Sequence, residues 1–363
     1  MVAPRTVTLP RVANEVDLGS IFNVSEFEAI ARARMDPASF DYFAGGAWDE
    51  ITVEENLAAF RRHRLRPRVL AGNAAVDAST TMLGSKVSMP LGLAPAAMHR
   101  LADPGGEVST ARAAGDAGVV MCLSTWSNCS LEEVAAQATG PLWLQLYVHE
   151  DRGLAEEMVR RASVCGFAAV VLTVDLAMPG YRERDFRNRF SPPADFGNVG
   201  DVAADEMQKM VAAAHDRSLS WEDLRWLTSL SELPLVLKGV LTGEDAALAV
   251  EHGAAAVWVS NHGGRQLDRS PAAIDVLEEV VAAVDGRAEV YVDGGVRRGL
   301  DVIAALALGA TAAFIARPYL YALAAAGREG VLRCLELLQG ELEMGMALLG
   351  VSSVSEIGRR HLV

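Results

Sequence analysis

From residue 87 to residue 318 the chain alternates between two textures. Short apolar and β-branched runs occur eight times: VSMPLGLAP (87–95), VVMCLST (119–125), LWLQLYV (142–148), AAVVLTVD (168–175), LPLVLKGV (233–240), AAVWVSN (255–261), EVYVDGG (289–295) and AAFIARP (312–318). Between them lie Ala-rich stretches of helical spacing, such as GLAEEMVRRASVCG and PAAIDVLEEVVAAV, several opening on Ser, Thr or Pro and closing on Gly as helix caps require. An apolar run without alternation marks a strand buried on both faces, and strands alternating with helices make parallel βα units. Eight such units predict an α/β fold closed as a (β/α)8 TIM barrel rather than an open doubly wound sheet.

The rhythm breaks once, from Leu176 to Glu232, so the barrel carries a long loop between its fourth strand and fourth helix. This lid-like insertion, 176–232, contains SPPADFGNVGDVAADEMQK, read as a mobile excursion, and SLSWEDLRWLTS, where Ser220 and Asp223 can form a capping box. A long insertion on this side of a barrel is often an active-site lid; a disordered ornament is the alternative. Ahead of the barrel, residues 25–64 read as an N-terminal helical extension, with Gly45 and Gly46 ending one helix. Residues 1–20 read as a loose tail, and 21–363 as a single barrel domain.

Composition narrows the class. At 363 residues, 51% hydrophobic and 22% charged, the chain has ample material for a packed core. A net charge of −14 opposes nucleic acid, which asks for a positive field. Cys122, Cys129, Cys165 and Cys334 form no CxxC pair and point to reduced core residues and a cytoplasmic setting. The first residues lack a continuous apolar stretch and carry Glu15 and Asp17, and no run of about 18 apolar residues occurs, so no secretory signal and no membrane partner are expected.

Candidate chemistry collects where the strands end, and in such barrels the loops beyond those ends converge over one mouth. In order round the barrel these positions are Pro95, Ala96 and Ala97; Ser124 and Trp126; Gln145 and Tyr147; Thr173 and Asp175; Lys238; Ser260 and His262; Asp293; and Arg317. Lone charges among Val and Leu are costly, so Lys238 and Asp175 are either functional or a structural ion pair. The last two loops read DGGVRRGLD and ARPY: glycines such as Gly295 permit close backbone approach, and Arg297 and Arg317 offer guanidinium forks for a phosphate.

The motifs SNHGGRQLD, DGGVRRGLDV, QLYV and LTVD carry a resemblance to the FMN-dependent α-hydroxyacid oxidases and dehydrogenases, the family of glycolate oxidase, lactate oxidase and mandelate dehydrogenase. It covers roughly residues 20–362, and GYRERDFRNRF is more similar to the mandelate dehydrogenases than to plant glycolate oxidases. The resemblance implies bound FMN, His262 as the base, Asp175 as its orienting carboxylate, Arg182 and Arg265 as a carboxylate clamp, and Tyr42 and Tyr147 as hydrogen-bonding partners of the substrate. It further implies that Lys238 stabilises charge on the reduced flavin, that Ser124, Gln145, Thr173 and Ser260 hold the ring, and that Asp293, Arg297 and Arg317 hold ribityl and phosphate.

Departures from the family pattern are Ala96, where a hydroxyl is frequent, Ala316 in place of the glycine of GRP, and an acidic segment with Asp195, Asp201, Asp205 and Glu206 where some relatives carry a membrane anchor. The expected substrate is a medium-sized or aromatic, mandelate-like 2-hydroxy acid, with Ala97 and Trp126 at the mouth. Without a haem motif or second redox domain, electrons are expected to leave to molecular oxygen, with a quinone or dye as the alternative acceptor. A homotetramer is expected from the family. The competing readings are a phosphosugar isomerase using Lys238 as a Schiff base, a non-catalytic binding barrel, and a peptide-modifying flavoenzyme of the same family.

Overall fold

The structure, a computed structural model, describes residues 16–72, 75–193, 195–198 and 216–363. Its centre is a closed parallel barrel of eight strands: β3 (Leu91–Leu93), β4 (Val120–Leu123), β5 (Leu142–Leu146), β6 (Ala169–Thr173), β7 (Leu235–Val240), β8 (Ala256–Val259), β9 (Glu289–Val292) and β10 (Ala312–Ile315), with β10 closing onto β3. All eight apolar runs of the sequence contain a strand, each shorter than its run, and in every run but that of β7 the C-terminal residues belong to the loop or helix above. The barrel expectation therefore holds.

Side chains divide by parity, since successive residues of a strand point to opposite faces. One set, including Leu91, Met121, Leu144, Leu172, Leu237 and Val257, packs outward against the helices in the main core. The other, including Val120, Trp143, Val171, Val236, Trp258, Tyr291 and Phe314, fills the barrel interior as a separate cluster. Followed to the last residues of the strands and the first beyond them, the inward parity runs through Ser124, Gln145, Thr173, Lys238, Ser260 and Asp293, which is why the polar rim faces the barrel axis.

Two features were not foreseen. A hairpin of β1 (Thr80–Met82) and β2 (Ser85–Val87) lies under the barrel, with Met82 fully buried and the Leu83 N–H donating to Glu289 at 3.0 Å. The final helix, Arg317–Leu349, breaks at Ala326 and Gly327 and packs against the N-terminal helix Glu26–Arg34. The N-terminal extension holds helices Glu26–Arg34, Pro37–Ala44 and Ile51–Phe60, the second ending at Gly45 as expected.

Of the expected loose tail, residues 1–15 lie outside the described residues, while Leu18–Ser20 form a 3-10 turn capped by the Asp17 carboxylate. The mobile excursion needs correcting in part. Asp195–Asn198 is docked against the loop after β4, because its polar atoms are matched by those of Arg100, Ser127, Asn128 and Leu131; residues 199–215 lie outside the described residues. In the other motif, Ser220 donates through its N–H and Oγ to the Asp223 carboxylate, one half of the reciprocal capping box.

Candidate active site

The β6 and β8 ends are joined by a carboxylate–imidazole pair. Asp175 Oδ1 lies 2.9 Å from His262 Nδ1, and Asp175 Oδ2 is buried with no hydrogen-bond partner among the described residues. Burial opposes charge on this carboxyl, yet His262 and then Lys238 outweigh it and hold Asp175 below the usual carboxylate range. The close approach depends on Gly239: β7 has a register shift there, its φ is 109°, and a Cβ would sit 2.7 Å from that of Asp175. His262 itself adopts φ 57°, a costly left-handed conformation for a non-glycine residue, with its N–H on Ser260 Oγ at 3.0 Å.

Sequence reasoning missed the residues that impose this turn. Asn261 and Asn56 exchange side-chain hydrogen bonds of 2.9 and 2.8 Å, tying the turn to the helix Ile51–Phe60. Gln266 donates to the carbonyls of Asp175 and Met178 and accepts from the Gly180 N–H, tying it to the base of the insertion. Amides at such positions look like ordinary loop polarity in a sequence. Only their partners, up to 205 residues away, reveal them.

Below this pair lies a second polar layer. Lys238 is 3% exposed, its Nζ donating to Ser260 Oγ at 2.9 Å and standing 3.3 Å from Asp293 Oδ2. Burial disfavours the ammonium, but Asp293 and then Asp175 hold its pKa above the ordinary lysine value. The ion pair is thus chiefly Lys238 with Asp293. Ser260 is fully buried, and its hydroxyl accepts from Lys238 Nζ and donates to Asp293 Oδ1 at 2.7 Å, so it couples the two charges at the cavity's edge. On the opposite wall Gln145 donates to Thr173 Oγ1 at 3.1 Å and accepts from Ser124 Oγ at 3.3 Å, a chain across three strand ends.

All of these groups surround one cavity. Pro95, Ala96, Ala97, Ser124, Trp126, Gln145, Tyr147, Thr173, Lys238, His262, Asp293, Gly295, Arg297, Ala316 and Arg317 line it, together with Tyr42, Arg182 and Arg265 from outside the strands. Asp175 does not line it and stands behind His262. Phe43, Leu176, Pro179 and Leu320 line it too without having been anticipated, since apolar residues of helices and loops carry no chemical signal.

Four buried or half-buried arginines meet this space with few anions to match. Arg265 rests on the carbonyls of Tyr42 and Gly45, at 2.6 and 3.0 Å, and its guanidinium lies 4.9 Å from the Tyr42 ring. Burial, then repulsion from Arg182, brings its pKa down to about 10. Arg182 pairs with Asp185 at 2.7 Å. At the other end Arg297 and Arg317 have no carboxylate within ion-pair distance among the described residues, and burial lowers both. Arg317 also braces the loops around it, since its guanidinium donates to the carbonyls of Phe43, Gly263 and Gly45.

Two cationic centres, Arg297 with Arg317 and Arg182 with Arg265, the latter matched only in part by Asp185, are separated by a slot walled by Ala94, Ala96, Ala97, Gly294 and Gly295. They fit a long ligand with a phosphate at one end and a substrate carboxylate beyond the other. FMN meets that description. Among the described residues, no group of three or more His, Cys, Asp or Glu is placed to hold a metal ion.

Comparison with known proteins agrees. Residues 31–363 match the model of the FMN-dependent dehydrogenase family. The chain is 48% identical over 356 residues to glycolate oxidase 1 of Zea mays, covering 95% of this chain and 96% of that one, and 48% identical over 352 residues to glycolate oxidase of Spinacia oleracea, covering 94% and 95%. Among solved structures, mandelate oxidase superposes with a TM-score of 0.89 at 40% identity, covering 95% of this chain and 98% of that one. A mutant of the active chimera of (S)-mandelate dehydrogenase superposes at 0.88 with 39% identity, covering 94% and 99%. The chain belongs to the family of FMN-dependent dehydrogenases, and its chemistry is the FMN-dependent oxidation of 2-hydroxy acids.

Proposed function

We propose that this enzyme oxidises short 2-hydroxy acids to 2-oxo acids and passes the electrons to molecular oxygen, releasing hydrogen peroxide. The observation that carries the reading is the meeting of the Asp175–His262 pair with the Arg182–Arg265 pair on one cavity. With Nδ1 held by Asp175, the imidazole presents Nε2, which has no protein partner among the described residues, as the atom that accepts a substrate proton. Asp175 then stabilises the imidazolium.

Arg182 and Arg265 clamp the substrate carboxylate, which supplies the anion that their mutual repulsion calls for. Tyr147, whose phenol is kept protonated by burial and by the nearby charge of Asp175, donates a hydrogen bond, as does Tyr42. Arg297 and Arg317 hold the phosphate, Ser124, Gln145 and Thr173 the ring edge, and Lys238 faces the charge that reduction brings. Bound FMN supplies the two-electron acceptor.

The substrate's size is read from the cavity wall. Trp126, 6% exposed, stands beside Tyr147, Tyr42, Ala97 and Leu176 where the C2 substituent must lie. An indole there leaves room for a small group, and the relatives at 48% identity are glycolate oxidases. The aromatic alternative rests on GYRERDFRNRF and on the mandelate-oxidising structural neighbours. Anaerobic flavin bleaching by glycolate, lactate and mandelate separates them: glycolate or lactate should reduce the enzyme faster, and faster reduction by mandelate would reverse the assignment. Mixing the reduced enzyme with air-saturated buffer should then regenerate oxidised flavin within the turnover time and yield peroxide. Reoxidation that is rapid only with a quinone would instead make it a dehydrogenase.

A further inference from the structure

The indole that narrows the cavity is itself held from behind. Trp126 meets the edge of His149 on one side, with ring centroids 5.6 Å apart and planes at 69°, and Phe196 on the other, at 5.4 Å and 74°. Both partners are buried, at 6% and 4% exposure. Edge-to-face contacts of this kind add attraction beyond area burial and fix a ring's tilt.

Phe196 comes from the long insertion, on a short segment fastened to the loop that carries Trp126. The Gly197 N–H donates to Ser127 O at 3.0 Å, Asn198 Nδ2 donates to Ser127 Oγ at 2.8 Å, and Asn198 Oδ1 accepts the Leu131 N–H at 2.9 Å. Asn128 Nδ2 donates to Asp195, and Arg100 pairs with its carboxylate at 3.2 Å. The approach is so close that a Cβ on Gly197 would lie 2.2 Å from Ser130 N, so only glycine passes. His149, from the loop after β5, is pushed by burial toward its neutral form, and its Nε2 has no hydrogen-bond partner among the described residues, so it serves here as a ring edge.

We propose that Phe196, carried on the Asp195–Asn198 clip, and His149 are positioning residues that lock the Trp126 indole in place and thereby set the largest C2 substituent the enzyme accepts. The proposal rests on the short-acid reading only in naming which side of the limit the natural substrate occupies. Neither residue lines the cavity, so each acts through Trp126. Loosening the clip lets the indole swing and trades short substrates for long ones.

A double-mutant cycle tests this in the FMN-loaded enzyme, using glycolate, 2-hydroxyoctanoate and mandelate. Phe196→Ala should raise the ratio of kcat/KM for 2-hydroxyoctanoate to that for glycolate by about 10-fold or more, a size-selectivity change of the magnitude pocket contacts control. The change should lie mainly in KM, with glycolate's maximal flavin-reduction rate little altered. Trp126→Ala should shift the ratio directly, and adding Phe196→Ala to it should do nothing further. His149→Phe, which keeps a ring edge, should retain the selectivity that His149→Ala loses. Should Phe196→Ala fail to yield yellow, folded protein, Phe196→Leu and Asn198→Ala give the same reading with less disruption. An unchanged ratio in a folded variant, or an equal shift with and without Trp126, overturns the proposal. A wild type that prefers mandelate defeats the short-acid reading alone, since the cycle still reports whether Phe196 acts through Trp126.

Discussion

Along β5 and one residue beyond it the inward positions read Trp143, Gln145 and Tyr147, so one strand passes from an apolar floor through a hydrogen-bonded layer to the cavity. At the floor, Trp143, Trp258, Tyr291 and Phe314 form one aromatic cluster, with the Trp258 and Phe314 centroids 3.8 Å apart and Trp143 at 5.4 and 5.7 Å from Tyr291 and Phe314. The hairpin of β1 and β2 caps it. Trp143 and Trp258 leave their Nε1–H groups without partners among the described residues, so this end favours packing over hydrogen bonding. The rim does the reverse. It buries Lys238 and Asp293 and half-buries Asp175, Arg265, Arg297 and Arg317, and its order comes from directed bonds and unpaired charge. Apolar contact is non-directional and tolerates exchange at constant volume, whereas a buried charge tolerates neither loss of its partner nor displacement.

That contrast can be broken from either end. The largest effect is expected at the floor: Trp143→Ala should destabilise the protein by about 3–5 kcal/mol, as large-to-small core changes do, while Trp143→Phe costs far less because it also removes an unsatisfied N–H. Denaturant titration measures this, and the folded remainder should bleach with substrate at the wild-type rate. At the rim, His262→Ala should leave unfolding midpoint and flavin content nearly unchanged yet slow anaerobic flavin reduction on the order of 100-fold, the range for loss of a general base. Near-normal reduction would return His262 to a structural role.

The smallest effect sharpens the boundary between the two regions. His99, 1% exposed, sits between Thr110 Oγ1 at 3.0 Å and Tyr319 OH at 3.2 Å, and burial lowers its pKa below the ordinary value. The unfolded chain therefore binds this proton more readily than the folded one. Stability should be unaffected by this group above about pH 6.5 and should decline as pH falls below it, by up to about 1.4 kcal/mol per pH unit. Melting curves between pH 7 and pH 5 should show a smaller decline for His99→Gln than for the wild type.

Much of this was legible along the chain. Eight unalternating apolar runs, each ending in polar residues, announce eight parallel strands and one functional rim, because a strand buried on both faces has no polar face to show. The hairpin of β1 and β2 escaped notice because its strands are three residues each and run almost directly into β3. The Asp195–Asn198 clip escaped because Asp, Gly and Asn are common in both free loops and tightly bonded ones. The link from Lys238 through Ser260 to Asp293 escaped because nothing local in a sequence says which distant groups a hydroxyl bridges.

By itself the sequence determined the period of the strands, their number and order, and the end of the barrel at which polar residues collect, since these depend on local alternation and residue type. The tertiary structure alone decided the pairings. Which carboxylate meets Lys238 and which meets His262, which arginines remain without an anion, and which aromatic edges hold Trp126 follow from strands and loops far apart in the chain being brought within a few ångströms. Burial and charge then act through space, where distance along the chain has no bearing.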